Sequence, residues 1–298
     1  MESSRFNRYI MGVLVTLMLC PVFSWGATVG LLVDSKTDQA RSFHQHLTPL
    51  IPLHNLTLYS VSQLSENPTV DRWLTIGPKA LAALLATPDY KQPILSLFVT
   101  SLAVKKLKSS FPDRAFSVLD NTPTLKRQLS LIKVLTPHTK RVAVFYSAQA
   151  KSQLKELQVQ ADALNIQLLT TELSDPLNWK RDALKSLKDA DLVLALNDSA
   201  IYNATNIRSI LMRLYRAGRP LIGPDKGYVR AGAVASTYSG VQETLKAIAE
   251  LLNSQEQWPE FIANPYFKVS INSQVARSLN IVVEDAKKVG IAIEGVLP

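Results

Sequence analysis

Residues 189–240 read DADLVLALNDSAIYNATNIRSILMRLYRAGRPLIGPDKGYVRAGAVASTYSG, and this stretch decides the fold. Leu192–Leu196 is an apolar run of the buried-strand type that passes straight into Asn197-Asp198-Ser199. An amphipathic helix follows, burying Ile207, Ile210, Leu211 and Leu214 and stopping at Gly218. A second apolar strand lies at Pro220–Gly223 and a third near Gly232–Tyr238. Strands alternating with helices in this way predict an α/β fold with a parallel sheet. In such sheets, polar residues just past each strand line the ligand crevice.

The same pattern extends in both directions. Thr28–Val33 is a short β run ending at Asp34-Ser35, followed by a polar helix with His44 and Leu47. Leu56–Val61 alternates apolar and polar residues like a half-exposed strand. Trp73–Ile76 leads into Gly77-Pro78 and a helix over Lys79–Leu85, with Pro78 suited to its first turn. Pro93–Val99 is a strand ending at Thr100-Ser101, so residues 28–101 read as a Rossmann-like lobe. Phe116–Leu119 is a fifth strand. Thr122 then suits an N-cap and Pro123 the first helical position. Leu125, Leu129, Ile132 and Leu135 share one helical face, and Thr136-Pro137 ends that helix.

Arg141–Tyr146 restarts the cycle, followed by Ser147-Ala148-Gln149 and a helix on which Leu154, Leu157, Ala161 and Leu164 share a face. Ile166–Thr170 is a strand and Trp179–Leu187 a helix. Past Tyr238 come a helix over Val241–Leu252, a polar proline-bearing connection over Gln255–Pro265, a strand at Lys268–Asn272 and a short helix at Ser273–Leu279.

The first 26 residues read as a secretory signal peptide: Arg5 and Arg8, the apolar run Ile10–Leu19, then Ser24-Trp25-Gly26 before a cut at Ala27. The run is short of the roughly 20 residues of a membrane-spanning helix, which disfavours an anchor. Cys20 is the only cysteine, and Leu19 before it and Pro21 after it disfavour a lipoprotein cut. Cleavage at Ala27 leaves a mature chain with no thiol, so disulfides, thiolate catalysis and cysteine–metal sites drop out. The roughly 270 residues that remain suffice for two lobes with separate cores.

The net charge of +9 becomes +8 once Glu2, Arg5 and Arg8 are removed. A polyanion partner or an anionic ligand drawn in by the field is one reading; the basic residues are scattered and do not interleave with aromatics, so a solvated basic surface, with no nucleic-acid partner, is the expectation. His44 and His46, two apart on a helix, do not share a face, and HExxH, GxSxG, GxGxxG and GxxxxGK[ST] are absent. No metal site, no cofactor and no catalytic residues are therefore expected. Asp198 could be a catalytic carboxylate, a cap for the following turn or a partner for a ligand amine.

The segments TPTLKRQLSLIKVLTPHTKRVAVFYS (122–147), LALNDSAIYN (194–203), YVRAGAVASTYSG (228–240) and VSINSQVARSLNI (269–281) resemble, in order, the substrate-binding proteins of ABC transporters. The likeness is to the two-lobed group that includes binders of aromatic amino acids. The first lobe matches mainly in strand order and in TIGPKAL (75–81).

The resemblance implies a type I periplasmic binding fold: two Rossmann-like lobes with parallel sheets joined by a three-segment hinge near 136–140, 236–240 and 263–268. Lobe 1 would comprise 27–138 plus 239–264, and lobe 2 would comprise 139–238 plus 265–298. The ligand would lie between the lobes. By position it would meet Asp34, Ser35, Gly77, Thr100 and Ser101 from lobe 1. From lobe 2 it would meet Ser147, Lys151, Ser152, Asn197, Asp198, Pro224 and Asp225, with Tyr238 and Ser239 on a crossover.

Tyr146, Tyr202 and Tyr238 could stack on the ligand. One departure is the loop after Tyr146: it reads SAQAKSQ where the aromatic-amino-acid binders carry an asparagine-rich loop with a carboxylate-gripping serine, a role left to Ser147 or Ser152. A helix N-terminus favours an anion by about 0.3–1 kcal/mol when exposed, whereas micromolar binding needs about 8 kcal/mol, so several loops must close together on the ligand.

The resulting expectation is a monomeric, periplasmic solute-binding protein that captures a small polar molecule, amino acids among the candidates, for a membrane ABC permease. Alternatives are a ligand-sensing module for a membrane receptor kinase and an exported α/β enzyme.

Overall fold

A computed structural model describes residues 26–254 and 257–296. The expected signal segment and Cys20 fall outside the described residues, apart from Gly26 at its end. The chain divides into two compact units, the first ending at Ile94 and the second running from Leu95.

The first unit holds β1 (Thr28–Val33), α1 (Asp38–Leu47), β2 (Asn55–Ser60), β3 (Arg72–Ile76) and α2 (Gly77–Leu85). β1 is central, paired in parallel with β2 from Thr28↔Asn55 to Val33↔Ser60 and with β3 from Val29↔Arg72. Val29, Leu31, Leu32 and Val33 are all buried, as a strand covered on both faces requires. Gly30 lets the Trp73 indole approach β1 closely: a Cβ there would fall 2.5 Å from the ring. Tyr59 and Tyr90 meet that ring edge-on, with centroids 5.7 and 5.5 Å away. α1 starts where Thr37 Oγ1 accepts the Ala40 amide (3.2 Å) and buries Ala40, Phe43 and Leu47.

The second unit takes in β4 (Ile94–Leu97) from its second residue on, then α3 (Ser101–Ser110), β5 (Ser117–Asp120) and α4 (Leu125–Leu135). Then come β6 (Arg141–Tyr146), α5 (Leu154–Ala163), β7 (Gln167–Glu172), α6 (Arg181–Asp189), β8 (Leu192–Leu194) and α7 (Ile207–Arg216). β9 (Leu221–Ile222), α8 (Lys226–Ala231), β10 (Ala235–Tyr238) and α9 (Val241–Asn253) follow. The chain ends with β11 (Phe261–Ala263), β12 (Lys268–Ile271), α10 (Ser273–Ser278) and α11 (Ala286–Val296).

Among the described residues two six-stranded sheets result, ordered β11-β5-β4-β3-β1-β2 and β12-β10-β9-β8-β6-β7. Both follow the doubly wound order 2-1-3-4-5, so the expected α/β class with two Rossmann-like sheets is what forms. Each receives a sixth strand from the last part of the chain: β11 joins β5 in parallel, whereas β12 joins β10 antiparallel.

β6 shows why helices cover both faces of the second sheet. Val142 and Val144 enter a core with Leu129, Ile132, Leu157 and Ile293, and Ala143 and Phe145 enter another with Trp179, Leu187, Ile210 and Leu214.

Four local expectations change. The α4 cap is Thr124, whose Oγ1 accepts the Arg127 amide (3.2 Å), not Thr122; the Thr122 amide instead donates to Asp120 Oδ1 (2.9 Å). The connection 255–265 contains β11, paired to β5 through backbone groups. α6 begins at Arg181, because Trp179 turns inward and donates Nε1–H to the Pro176 carbonyl (2.7 Å). α11 follows the last expected helix and closes the core with Val289 and Ile293.

Candidate functional site

The candidate residues sit where strands end. In the first unit Asp34 and Ser35 are exposed after β1, and Lys79 Nζ lies 3.3 Å from Asp34 Oδ2. Gly77 opens α2 with φ +83°, a left-handed conformation that glycine adopts without a Cβ penalty.

In the second sheet, strand order reverses between β6 and β8, the crevice of a doubly wound sheet. Ser147 follows β6 and Asp198 follows β8, and the two are joined to each other. The Ser147 amide donates to Asp198 Oδ2 (2.6 Å) and the Ser147 hydroxyl donates to Oδ1 (3.0 Å), which also accepts the Ala200 amide (3.1 Å). Asp198 is only 4% exposed. Its carboxylate therefore clamps the switch point and starts the next turn, the cap-like role among those open to it in the sequence. Tyr202 lies buried behind it; burial first and the Asp198 charge second hold its hydroxyl far above the ordinary tyrosine value. A stacking role for Tyr202 is thus not available in this conformation. Lys151 and Ser152 are exposed on the 3₁₀ segment Ala148–Gln153.

A cleft of about 340 Å³ gathers Thr100, Ser101, Asn197, Pro224 and Asp225, five of the expected residues, from the loops after β4, β8 and β9. Asp120 and Asn121, after β5, complete it. A cavity of about 220 Å³ shares Asn197 and Pro224 and adds Gln153 and Glu156. Two helix starts shape the wall: Thr100 Oγ1 accepts the Ala103 amide (3.3 Å), and Asp225 Oδ1 accepts the Gly227 amide (2.5 Å).

Phe98, missed in the sequence, also lines the larger cleft. It is 45% exposed and held at φ +57°, an uncommon conformation for a bulky residue. The only sequence signal was an aromatic residue two positions before the Thr100 cap.

The segments linking the sheets are stitched to one another. Asn264 Nδ2 donates to Asn121 Oδ1 (2.8 Å), and the Asn264 amide donates to the Asp120 carbonyl (2.9 Å). Ser239 Oγ donates to the Tyr266 carbonyl (2.7 Å), so Ser239 is engaged within the crossover, while Lys226 Nζ sits 4.7 Å over the Tyr238 ring. Arg127, 5% exposed, donates to the Asn264 carbonyl (2.9 Å) and stacks 4.3 Å over Phe267. Burial lowers its affinity for the proton, an effect the Glu294 charge opposes. Lys268 Nζ pairs with Glu243 Oε1 (2.8 Å), and the Gly240 amide donates to Glu243 Oε2 (3.0 Å). Burial would raise the Glu243 carboxyl, but Lys268 and the backbone amides outweigh it and hold it low; the same hydrogen bond raises Lys268.

Behind the cleft, Gln128 of α4 fastens the β9 and β10 ends. Its Nε2 donates to the Gly223 carbonyl (2.7 Å) and Ser236 Oγ (3.1 Å), and its Oε1 accepts from Thr237 N and Oγ1 (3.2 Å each). Among the described residues, no three His, Cys, Asp or Glu side chains gather to hold a metal ion, and no helix is long and apolar enough to cross a membrane.

No curated protein matches the chain. Among solved structures it is similar to a ligand-free, open substrate binding protein with adhesive properties from Clostridium difficile. The TM-score is 0.63 at 15% identity, over 87% of this chain and 96% of the other. It is also similar to a conserved domain protein from Vibrio cholerae, with a TM-score of 0.50 at 19% identity, over 88% of this chain and 97% of the other. At these identities the likeness is one of fold, the type I periplasmic binding architecture. The model of the ABC transporter substrate binding protein family matches residues 74–289, and the chain belongs to that family.

Proposed function

We propose that the protein is exported to the periplasm, captures a small polar solute, amino acids among the candidates, and hands it to an ABC permease. The observation that carries this reading is a cleft at the carboxyl ends of β4, β5, β8 and β9 in a member of the substrate-binding family.

In this reading Phe98, Thr100, Ser101, Asn197, Pro224 and Asp225 touch the solute. Asp34, Ser35 and Gly77, of the same lobe as Thr100 and Ser101, complete the proposed set, with Lys151, Ser152, Tyr238 and Ser239 at the margin. Ser147 and Asp198 fix the loops that present Asn197. We take the first crossing between lobes to be at 121–124 instead of 136–140, because α4 packs on α5, α11 and β10. The other crossings lie near 239–240 and 264–267, and lobe 2 would then begin with α4. The molecule acts as a monomer.

The test is a thermal-shift and calorimetry screen of residues 27–298 against amino acids, small peptides, nucleosides, sugars and organic anions. A solute at 100 times its dissociation constant stabilises by about 2.7 kcal/mol. One chemically coherent set of hits, abolished by Asn197→Trp in the cleft wall, is the expected result. Hits that survive Asn197→Trp, or no hit from any class, would refute the reading.

A further inference from the structure

We infer that the solute is cationic: it brings a protonated amine to the cleft and carries no compensating negative charge. The inference rests on the reading that this cleft holds a solute, and adds the solute's charge. The chain is basic, with 33 lysines and arginines against 24 aspartates and glutamates. The two adjoining cavities reverse that balance. Asp120 and Asp225 line the larger, and Asp120 and Glu156 the smaller, while no lysine, arginine or histidine among the described residues lines either.

Nor are these carboxylates neutralised from behind. Among the described residues none of the three has a lysine or arginine within ion-pair distance. Lys226, the nearest cation in sequence to Asp225, is turned onto the Tyr238 ring. Asp120 and Asp225 are held by single backbone donors, the Thr122 and Gly227 amides, each to Oδ1. Both carboxylates are thereby oriented while Oδ2 remains for a ligand donor.

An anionic solute entering here would meet like charges, with Lys151 only at the margin and no basic side chain in the wall of either cavity to offset them. A cation gains from the same charges, the more so as water leaves the cleft. Phe98 adds a half-exposed ring at the rim, able to take the apolar part of an amine or its charged head. The remaining wall of Thr100, Ser101, Asn121 and Asn197 is neutral and can orient an N–H or O–H group without selecting charge.

The experiment uses residues 27–298 and isothermal titration with probes matched in shape and different in charge. Tyramine, putrescine and spermidine are the cations. Tyrosol and 1,4-butanediol are the neutral counterparts, and 3-(4-hydroxyphenyl)propionate and succinate the anions. Expected is binding of at least one cation ten times tighter or more than its neutral counterpart, weakening as salt rises. Asp120→Asn and Asp225→Asn should each lower that affinity at least tenfold. Asparagine keeps the Oδ1 acceptor, so unliganded thermal midpoints should stay near that of the parent.

A neutral or anionic probe as the tightest binder would overturn the charge assignment and leave the solute-binding reading intact. So would cation affinity unchanged in both variants. No binding of these probes alongside a hit from the wider screen would overturn the charge assignment alone, and no binding in either would overturn both.

Discussion

Gln128 offers the sharpest test of how the second sheet is held together. Replacing it with leucine keeps the bulk of the side chain and removes all four of its hydrogen bonds. Ser236 Oγ keeps the Thr237 carbonyl as a partner (2.9 Å), but the Gly223 carbonyl and the amide and hydroxyl of Thr237 lose their Gln128 partners in a buried setting. An orphaned buried group costs about 1–3 kcal/mol, so three cost about 3–9 kcal/mol, a large share of a typical stability of about 5–15 kcal/mol.

Ser130, two residues on in the same helix, is the control. Its buried hydroxyl has no partner among the described residues, so Ser130→Ala should be neutral or slightly stabilising. Urea denaturation followed through Trp179, which is buried against Phe145 in the second unit, reads both variants. The midpoint of Gln128→Leu should fall markedly at similar slope, and that of Ser130→Ala should not. A Gln128→Leu change under about 1 kcal/mol, or equal losses for both variants, would refute the claim that hydrogen bonding, and not helix packing alone, fastens the β9 and β10 ends.

Asp198→Ala should lower stability by about 2–3 kcal/mol, since it leaves the buried Ser147 amide unpaired; a thermal midpoint unchanged from the parent would show that the clamp carries little. Phe98→Gly should weaken solute binding while leaving stability within about 1 kcal/mol of the parent, because relief of the left-handed backbone offsets the lost contacts. A loss above about 2 kcal/mol would make Phe98 a packing residue instead.

Glu243, held low, contributes stability that is present above its unfolded value and lost as pH falls through the folded value. Lys268, held high, contributes stability that is present below its unfolded value and lost as pH rises through the folded one. Glu243→Gln should therefore flatten the acid side of a melting-temperature profile as pH falls below the ordinary glutamate value of about 4.3, and a parallel profile would contradict the pairing.

Most strands and helices were legible because period and length identify them. VGLLV and LVL are short apolar runs bounded by turn signals, which fits strands buried on both faces, and Leu125, Leu129, Ile132 and Leu135 fall on one face of a helix. Gly218 marked its helix end through the positive φ it supplies.

What escaped depends on partners far along the chain. Phe261–Ala263 is three residues in a proline-bearing stretch, and becomes a strand because β5 offers a free edge. Gln128 reads as a polar position on a helix surface until β9 and β10 close over it. Asp198 was legible as a crevice residue by its position after a strand. Its commitment to Ser147, 51 residues earlier, was not, because that bond belongs to the pairing of β6 with β8. Phe98 escaped because nothing in the letters around it announces a left-handed turn.

The sixth strand of the first sheet carries a consequence for biosynthesis. Val118 pairs with Phe261, 143 positions later in the chain. Until that segment emerges, β5 presents an unpaired edge built from Val118 and Leu119. At about 5–20 residues per second the interval lasts roughly 7–30 s, long enough for stray strand pairing on a crowded ribosome. A chain with this order gains from being kept unfolded until its last quarter has been made, which is the condition that post-translational export imposes.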